Sequence, residues 1–283
     1  MTSLPSYADY GTYDESAHPD LWDGVVGYWA PCLGPTGLRL HDVSRWNNWG
    51  TLTNMDAASD WGVDGGQYVL DFDGSNDYVA TSFLPQFRAR DFSIHIAFIA
   101  SDVTAKCIFG TINTGTSTVL QINMNSTFIG ASSVGKVAFQ LRSTTGLRRY
   151  VDAGTGLNDG KPHTIVCVRR DATTEIHIDG KEATLSGDTA TSISGSLYDT
   201  EFPVTIGARN LRGVIDLFTP ARCSDIVVWD RALSPNEIYW MHNIGRGGML
   251  QRRTRRRAYS VQAGFRAHYA TQRNAQLIGG GLR

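Results

Sequence analysis

The sequence predicts an all-β fold, in which two antiparallel sheets form a sandwich with one short C-terminal helix and an extended arm at each end. Apolar and polar residues alternate along several segments, as in FSIHIAF, where Phe92, Ile94, Ile96 and Phe98 share one face. The 30 glycines, with many Ser and Thr, supply turns between such segments. No long amphipathic helical pattern occurs before Ser234. Many short strands joined by turns are therefore expected.

The elements follow one another in a consistent order. Gly24–Trp29 is predicted as the first strand, and the turn-rich PCLGPTG follows it. Residues 137–142 (VAFQLR) alternate like the FSIHIAF strand. Asp179-Gly180 suits a type I′ hairpin, because both central residues of that turn need positive φ.

A helix is predicted after Ser234. Ser234 is placed as N-cap, Pro235 as the first helical residue and Glu237 as the partner in a capping box. Leu233 and Ile238 are spaced to form a hydrophobic staple. The helix is expected to end near His242.

The chain is predicted to have three parts: an extended arm over 1–20, which lacks periodicity, a body over 21–245 and an Arg-rich arm over 246–283. The chain has 26 Lys and Arg against 27 Asp and Glu, and nine of the Arg lie after Gly245, where no acid occurs. Residues 1–245 therefore carry a net charge of about −10 and the remainder about +9. A basic segment of this kind indicates an interaction tail.

Targeting signals and reactive cysteines are not evident. The first 20 residues have neither a basic nor an apolar signal region, and no apolar run reaches about 18 residues. Synthesis in a cytoplasm and no contact with a membrane are expected. The four cysteines are widely spaced without CxxC, so we expect them to be reduced, with Cys167 in the core. Trp29, Trp229 and Trp240 lie on periodic elements and are also predicted to be core residues.

A series of motifs carries a resemblance to a known family over Leu21 to Asn243. The motifs are GVVGYW, HDVSRWNNWGTLTN, FDGSNDYV, DGKPHTIVCVRRD, IHIDGK, TIGAR and DIVVWDRALSPNEI. In order and spacing they resemble the laminin-G-like, concanavalin-A-like jelly rolls that include the pentraxins. This fold serves lectins, adhesins, enzyme appendages and virus particles, so the resemblance implies fold more than function.

The resemblance implies a calcium site near the loop His41–Gly50. Asp42, Asn47, Asn48 and Asp225 would supply the oxygens that a hard cation requires. Arg45 and Ser224 depart from the family pattern at this site. Alternatively, Asp42 and Asn48 hydrogen-bond their own loop.

Trp46 and Trp49 stand in the same loop where the family has small residues. Exposed aromatic rings stack on sugars, so the two are candidate glycan-binding residues; contact with a neighbouring subunit is the alternative. The carboxylate pair of the glucanases built on this fold is not found, so no catalytic residue is assigned and no enzymatic activity is expected.

The jelly-roll body and the two arms together resemble virion accessory or decoration proteins of tailed bacteriophages. The leading hypothesis is thus a non-enzymatic virion structural protein, located in the virion and held by its arms to capsid or tail proteins and to copies of itself. The alternative is a carbohydrate-binding module that contacts host-surface glycans. Three interpretations of the arginine run are open: it binds an acidic subunit surface, it binds nucleic acid, or it stays solvated. The first is favoured. The predicted anchoring residues are Arg252, Arg253, Arg255, Arg256, Arg257, Tyr259, Phe265 and Tyr269.

Overall fold

The structure is a computed structural model that describes residues 17–113, 118–126, 134–144, 148–187, 193, 195–197 and 201–251. In these ranges the regular structure is mostly β-strand, with one α-helix, α1 (Pro235–Ile244). The strands are β1 (Val25–Trp29), β2 (Arg39–Leu40), β3 (Gly50–Thr53), β4 (Trp61–Asp64), β5 (Gln67–Asp71), β6 (Tyr78–Thr81), β7 (Phe92–Ala100), β8 (Lys106–Asn113), β9 (Thr118–Met124), β10 (Val137–Arg142), β11 (Arg148–Ala153), β12 (Pro162–Arg170), β13 (Thr173–Ile178), β14 (Lys181–Glu182), β15 (Leu185–Gly187), β16 (Thr205–Ile206), β17 (Arg209–Leu211), β18 (Val214–Asp216) and β19 (Ala221–Trp229).

Two curled sheets form the sandwich. The first has the order β14-β13-β12-β7-β19-β5-β4, with β1 also paired to β19. The second has the order β15-β11-β10-β9-β8-β16-β6-β3-β2, and β17 pairs with β8 and β18. The pairing of β17 with β8 is parallel, whereas neighbours along both sheets are antiparallel. The predicted all-β sandwich is confirmed.

The main core lies between the two sheets. Phe92, Ile94, Ile96 and Phe98 of β7 all enter it, as the alternation predicted, and they meet residues such as Phe139 from the second sheet. A second apolar cluster lies on the other face of the first sheet, beneath α1. Its members include Val166, Val227, Trp229, Ile238 and Met241. The first sheet is therefore covered on both faces where α1 crosses it.

The local signals for α1 are confirmed. The Ser234 side chain accepts a hydrogen bond from the Glu237 backbone N–H, and Glu237 accepts one from the Ser234 N–H at 2.8 Å. Leu233 and Ile238 are both buried, as the staple requires. The helix continues to Ile244, and Gly245 ends it with φ 71°. Glycine adopts this positive φ without the steric cost that a side chain would add.

Most predictions for single residues are confirmed, and one is wrong. Asp179 and Gly180 both have positive φ, so the predicted hairpin geometry is present. The four cysteines are free and buried, and Cys167 lies in the main core. Trp29 and Trp229 are buried, but the prediction for Trp240 is wrong, since its side chain is 56% exposed. On α1 the inward positions belong to Ile238 and Met241, which leaves Trp240 on the outer side.

Described residues that flank the predicted body contact it at both ends. Met249 and Leu250 are buried in the second cluster, and the Trp22 indole N–H donates to the Met249 carbonyl at 3.0 Å. The Ala17 N–H donates to the Gln251 carbonyl at 2.8 Å. Met249 and Leu250, which follow the Gly247-Gly248 turn, are apolar and pack this segment against the body. The rest of both predicted arms lies outside the described residues, including all eight anchoring residues from Arg252 to Tyr269. No helix in the described ranges combines the length and apolarity that crossing a membrane requires.

Candidate functional site

The loop between β2 and β3 is organised by one buried carboxylate. Asp42 forms an isolated bridge with Trp29 of β1. Its Oδ1 accepts hydrogen bonds from the N–H groups of Tyr28 at 2.8 Å and Ser44 at 2.9 Å. Its Oδ2 accepts from the Ser44 hydroxyl at 2.8 Å and the Asn48 N–H at 2.7 Å. The loop is therefore fixed to β1 by a saturated carboxylate, which matches the alternative that the sequence left open for Asp42.

Asn48 provides a second tie between this loop and β1. Its side-chain amide donates to the Val26 carbonyl at 2.9 Å, and its own carbonyl accepts from the Trp29 indole at 2.7 Å. Asn47, beside it, has φ 54°, a left-handed conformation that Asn tolerates better than most residues. Asp42 and Asn48, two of the predicted metal ligands, thus hold the loop in shape.

The four predicted calcium ligands do not form one site. Trp29 of β1 pairs with Asp42 on one side and with Ile226 of β19 on the other, so β1 separates Asp42 from Asp225. The Asp225 carboxylate is buried and accepts a hydrogen bond from the Gly247 N–H. Among the described residues, no group of three or more His, Cys, Asp or Glu side chains is placed to hold a metal. This arrangement does not fit a calcium ion at Asp42, Asn47, Asn48 and Asp225.

We therefore expect calcium to leave the thermal stability of the protein unchanged. An ion that bound only the folded chain would raise the Tm, and its removal would lower the Tm. Differential scanning calorimetry with excess calcium, and again with a chelator, should give the same Tm. A rise with calcium that the chelator reverses would contradict this expectation.

The two loop tryptophans have different surroundings. Trp46 is 55% exposed, and the Arg45 guanidinium carbon lies 5.4 Å from its ring centroid. Trp49 is half-buried, with the Arg39 guanidinium carbon 4.4 Å above its ring and the His41 ring at 4.9 Å. The ring of Trp49 is thus partly covered by its own neighbours, whereas Trp46 offers its surface to solvent.

Trp46 lines a groove of about 340 Å³. Phe83 and Phe87, which also belong to the core, line it together with Val26. Polar groups come from Asn48, Gln86, Arg90 and Asp230 among others. The groove therefore combines an exposed aromatic ring with amide, guanidinium and carboxylate groups. Trp49 is not among the residues that line it.

The segment that contributes Gln86 and Arg90 to the groove is held by a buried arginine, Arg169. Arg90 lies 3.6 Å from Asp230 and donates to the Gln86 carbonyl at 3.3 Å. Arg169, at the end of β12, donates to the carbonyls of Arg88 at 2.9 Å and Arg90 at 3.0 Å. Both sides of the groove are therefore attached to the sheets by hydrogen bonds.

Sequence reasoning found Trp46 but missed Gln86, Arg90 and Asp230. Phe83 and Phe87 are apolar residues in the segment that links β6 and β7, and Gln86 and Arg90 are polar residues within it. This mixture is a signal of a half-buried segment, but no local spacing connects it to Trp46 or Asp230. The groove arises from contacts between residues far apart in the sequence.

Two of the strand histidines occupy the outer face of the first sheet. His177 lies 3.1 Å from Glu175, and the hydrogen bond between them holds the pKa of Glu175 at about 2, with Arg170 contributing. His95 is buried, and neither of its ring nitrogens has a hydrogen-bond partner within the described chain. Burial lowers the pKa of His95 to about 4, so it is neutral at neutral pH.

The third strand histidine, His163, bridges two carboxylates. Its Nδ1 lies 2.9 Å from Asp179 and its Nε2 lies 3.1 Å from Asp159. Thr164, beside it, is 2.9 Å from His242 of α1. These contacts tie the β13–β14 turn and the end of α1 to β12.

Comparison with known proteins places the fold in a family. A laminin-G-type family model, described as the concanavalin A-like lectin/glucanases superfamily, matches residues 73–239, more than half of the chain. The chain belongs to this superfamily. The predicted laminin-G-like resemblance is confirmed. No curated protein matches the sequence.

Solved structures of this superfamily's fold are similar at low sequence identity. The binding domain of Paraclostridial Mosquitocidal Protein 1 has a TM-score of 0.56 at 12% identity, over 79% of this chain and 52% of that one. The botulinum neurotoxin serotype D ligand binding domain in complex with N-acetylneuraminic acid has a TM-score of 0.57 at 10% identity, over 81% and 52%. Trypanosoma rangeli sialidase has a TM-score of 0.52 at 14% identity, over 77% and 32%. The chain thus spans about half the length of the toxin domains, and the likeness shows the fold alone.

Proposed function

We propose that this superfamily member binds carbohydrate, without turning it over, in the groove lined by Trp46. The observation that carries the proposal is the 55% exposure of the Trp46 side chain beside a groove with Gln86, Arg90 and Asp230 on its lining. The sequence offered carbohydrate binding as the alternative to a virion structural role. The groove and the lectin-like fold both favour that alternative.

The chemistry of the groove suits a sugar ring. The C–H groups on one face of a pyranose pack against an indole, which combines a large apolar surface with a negative π face. The hydroxyl groups at the ring edge both donate and accept hydrogen bonds, so they pair with amides, guanidinium groups and carboxylates. Gln86, Arg90 and Asp230 supply all three types of group. Asp42 and Arg169 fix the backbone on two sides of the groove, which limits the backbone ordering that binding requires.

The similar structures guide the choice of ligands to test. One neurotoxin domain has been solved with N-acetylneuraminic acid, and the sialidase has been solved with the inhibitor DANA. N-acetylneuraminic acid and DANA are ligands of those two proteins. They support including sialylated glycans beside neutral ones in a first survey.

Trp46→Ala is expected to weaken glycan binding by at least about tenfold, the effect of losing about 1.4 kcal/mol of stacking energy. The full chain would first be surveyed on a glycan array, and the best ligand titrated by calorimetry. Trp240→Ala is a matched control, because Trp240 has similar exposure and lies on α1, away from the groove lining. Equal loss in both variants, or no loss in Trp46→Ala, would contradict the proposal.

The virion role that the sequence favoured remains a prediction, and it is compatible with glycan binding. Quantitative mass spectrometry of purified particles from the native source tests it. A fixed ratio to the main coat protein is the expected result. Absence from the particles would leave carbohydrate binding as the proposed function.

A further inference from the structure

The outer side of α1 carries two adjacent exposed aromatic residues. Tyr239 and Trp240 are each 56% exposed, although both rings are large and apolar. The ring of His18 lies 6.3 Å from that of Trp240, which places the residues before the first strand alongside the helix. The glycan-binding groove includes none of these three residues. They form a separate surface.

A groove of about 410 Å³ is lined by Pro19, Asp20, Asp23, Arg231 and Glu237. Glu237 lies one helical turn from Trp240, and Pro19 follows His18, so this groove adjoins the aromatic residues. We call the two features together the α1 surface; it comprises Asp20, Asp23, Glu237, Tyr239 and Trp240.

The α1 surface carries unbalanced negative charge. Arg231 pairs with Glu237 at 2.6 Å, and its other hydrogen bonds go to the backbone carbonyls of Asp20 and Asp23. The carboxylates of Asp20 and Asp23 are on exposed residues and have no ion-pair partner within the described ranges. Asp20 and Asp23 therefore line, without an ion-pair partner in the described ranges, a groove that adjoins the exposed Trp240.

We propose that the α1 surface binds the arginine run of a second copy of this chain. A guanidinium group stacks on an aromatic face and pairs with carboxylates in a planar, two-pronged geometry, so arginine matches both parts of the surface. The run contains five arginines, at 252, 253, 255, 256 and 257. Charge complementarity is strong, because residues 1–245 carry about −10 and the remainder about +9.

Two copies make the contact reciprocal. Each copy contributes one α1 surface and one arginine run, so a two-fold dimer contains the same contact twice. Because charged groups dominate, the association is expected to weaken as salt is added. Self-association by this route does not depend on glycan binding at Trp46.

Sedimentation velocity on the full chain tests the proposal. The wild type is expected to dimerise as concentration rises. Trp240→Ala and the double variant Asp20→Asn/Asp23→Asn should each weaken dimerisation at least about fivefold, since a stacked or paired guanidinium contributes on the order of 1 kcal/mol. Trp46→Ala is the matched control and should dimerise like the wild type. A wild type that stays monomeric, or a Trp240→Ala variant that dimerises normally, would overturn the proposal.

Mixing variants tests whether the contact joins two copies. One variant carries glutamine at the five arginines of the run; the other carries Trp240→Ala with Asp20→Asn and Asp23→Asn. Each alone should be monomeric, and a mixture should form a heterodimer, because one intact surface then meets one intact run. A mixture that stays monomeric, or glutamine variants that still dimerise, would show that a second copy's run does not occupy the α1 surface.

Discussion

Arg169→Met is expected to lower the free energy of unfolding by about 3 to 5 kcal/mol, the range for breaking a buried polar network. Arg169 is only 2% exposed, and its guanidinium donates to four backbone carbonyls. Two belong to Arg88 and Arg90, and the others to Ile193 at 3.1 Å and Gly195 at 2.8 Å. Methionine fills the space but leaves these carbonyls without their donor, and an unpaired buried acceptor is costly.

The same variant should weaken the proposed glycan binding, because Arg169 holds the wall that carries Gln86 and Arg90. Urea unfolding, followed by fluorescence, measures the stability, and titration with the best array ligand measures binding. Arg169→Lys keeps the charge, but one ammonium group has three donors and no planar fork, so most of the loss should remain. If Arg169→Met does not fold, Arg169→Lys supplies the measurement.

Arg222→Met is the control for removing an arginine as such. Arg222 pairs with Asp71 at 2.9 Å, and both side chains are substantially exposed. An exposed pair contributes less than about 1 kcal/mol, so this variant should resemble the wild type. An Arg169→Met variant as stable as Arg222→Met would mean that the four carbonyl contacts contribute little.

The fold was predictable because its signals are local. Alternation placed Ile94 and Ile96 in the core, and the Ser234 and Glu237 pair marked the start of α1. Trp240 was misplaced because a short helix has few inward positions, and its sequence did not show that Ile238 and Met241 would fill them. Burial on a helix of about three turns depends on where the helix crosses the sheet.

The candidate site was predictable only in part. Trp46 was evident because it interrupts a loop where small residues were expected. The segment with Gln86 and Arg90 is held by hydrogen bonds from Arg169 to Arg88 and Arg90, about 80 positions away in sequence, and no local pattern encodes that contact. The calcium hypothesis treated Asp42 as a free ligand, and only its four donors reveal its structural role.

Asp225→Asn is expected to raise the free energy of unfolding by about 3 kcal/mol at neutral pH, and much less at about pH 4. Asp225 is 2% exposed, and burial raises the pKa of its carboxyl to about 6 although Gly247 and Arg246 favour the charged form. In the unfolded chain the ordinary pKa is 3.8. The difference of about two pKa units corresponds to about 3 kcal/mol.

The direction of this pH dependence follows from proton binding by Asp225. The folded chain binds the Asp225 proton more tightly than the unfolded chain, so protonation stabilises the fold. This stabilisation is complete below about pH 3.8 and is lost as the pH rises through about 6. At neutral pH the folded protein holds a buried carboxylate near Cys32 and Tyr28, and an amide in its place removes that cost.

The contribution of His95 to stability has the opposite pH dependence, so in the wild type it offsets part of the contribution of Asp225. Burial lowers the pKa of His95 from 6.5 to about 4, so the stability that neutral His95 confers is lost as the pH falls through about 4. Between about pH 4 and pH 6.5 the two slopes oppose each other. We therefore expect Asp225→Asn, which lacks the opposing contribution, to lose stability on acidification more steeply than the wild type.

Urea unfolding of the wild type and Asp225→Asn at about pH 4 and about pH 7 separates these contributions. Glu182→Gln is the control, because it removes an exposed carboxylate. Its free energy of unfolding should match that of the wild type at both pH values. A stability difference between Asp225→Asn and the wild type that is equal at the two pH values would contradict a raised pKa for Asp225. A difference that grows from about 0.5 to about 3 kcal/mol is the result that linkage requires, because only the ionised form of Asp225 opposes folding.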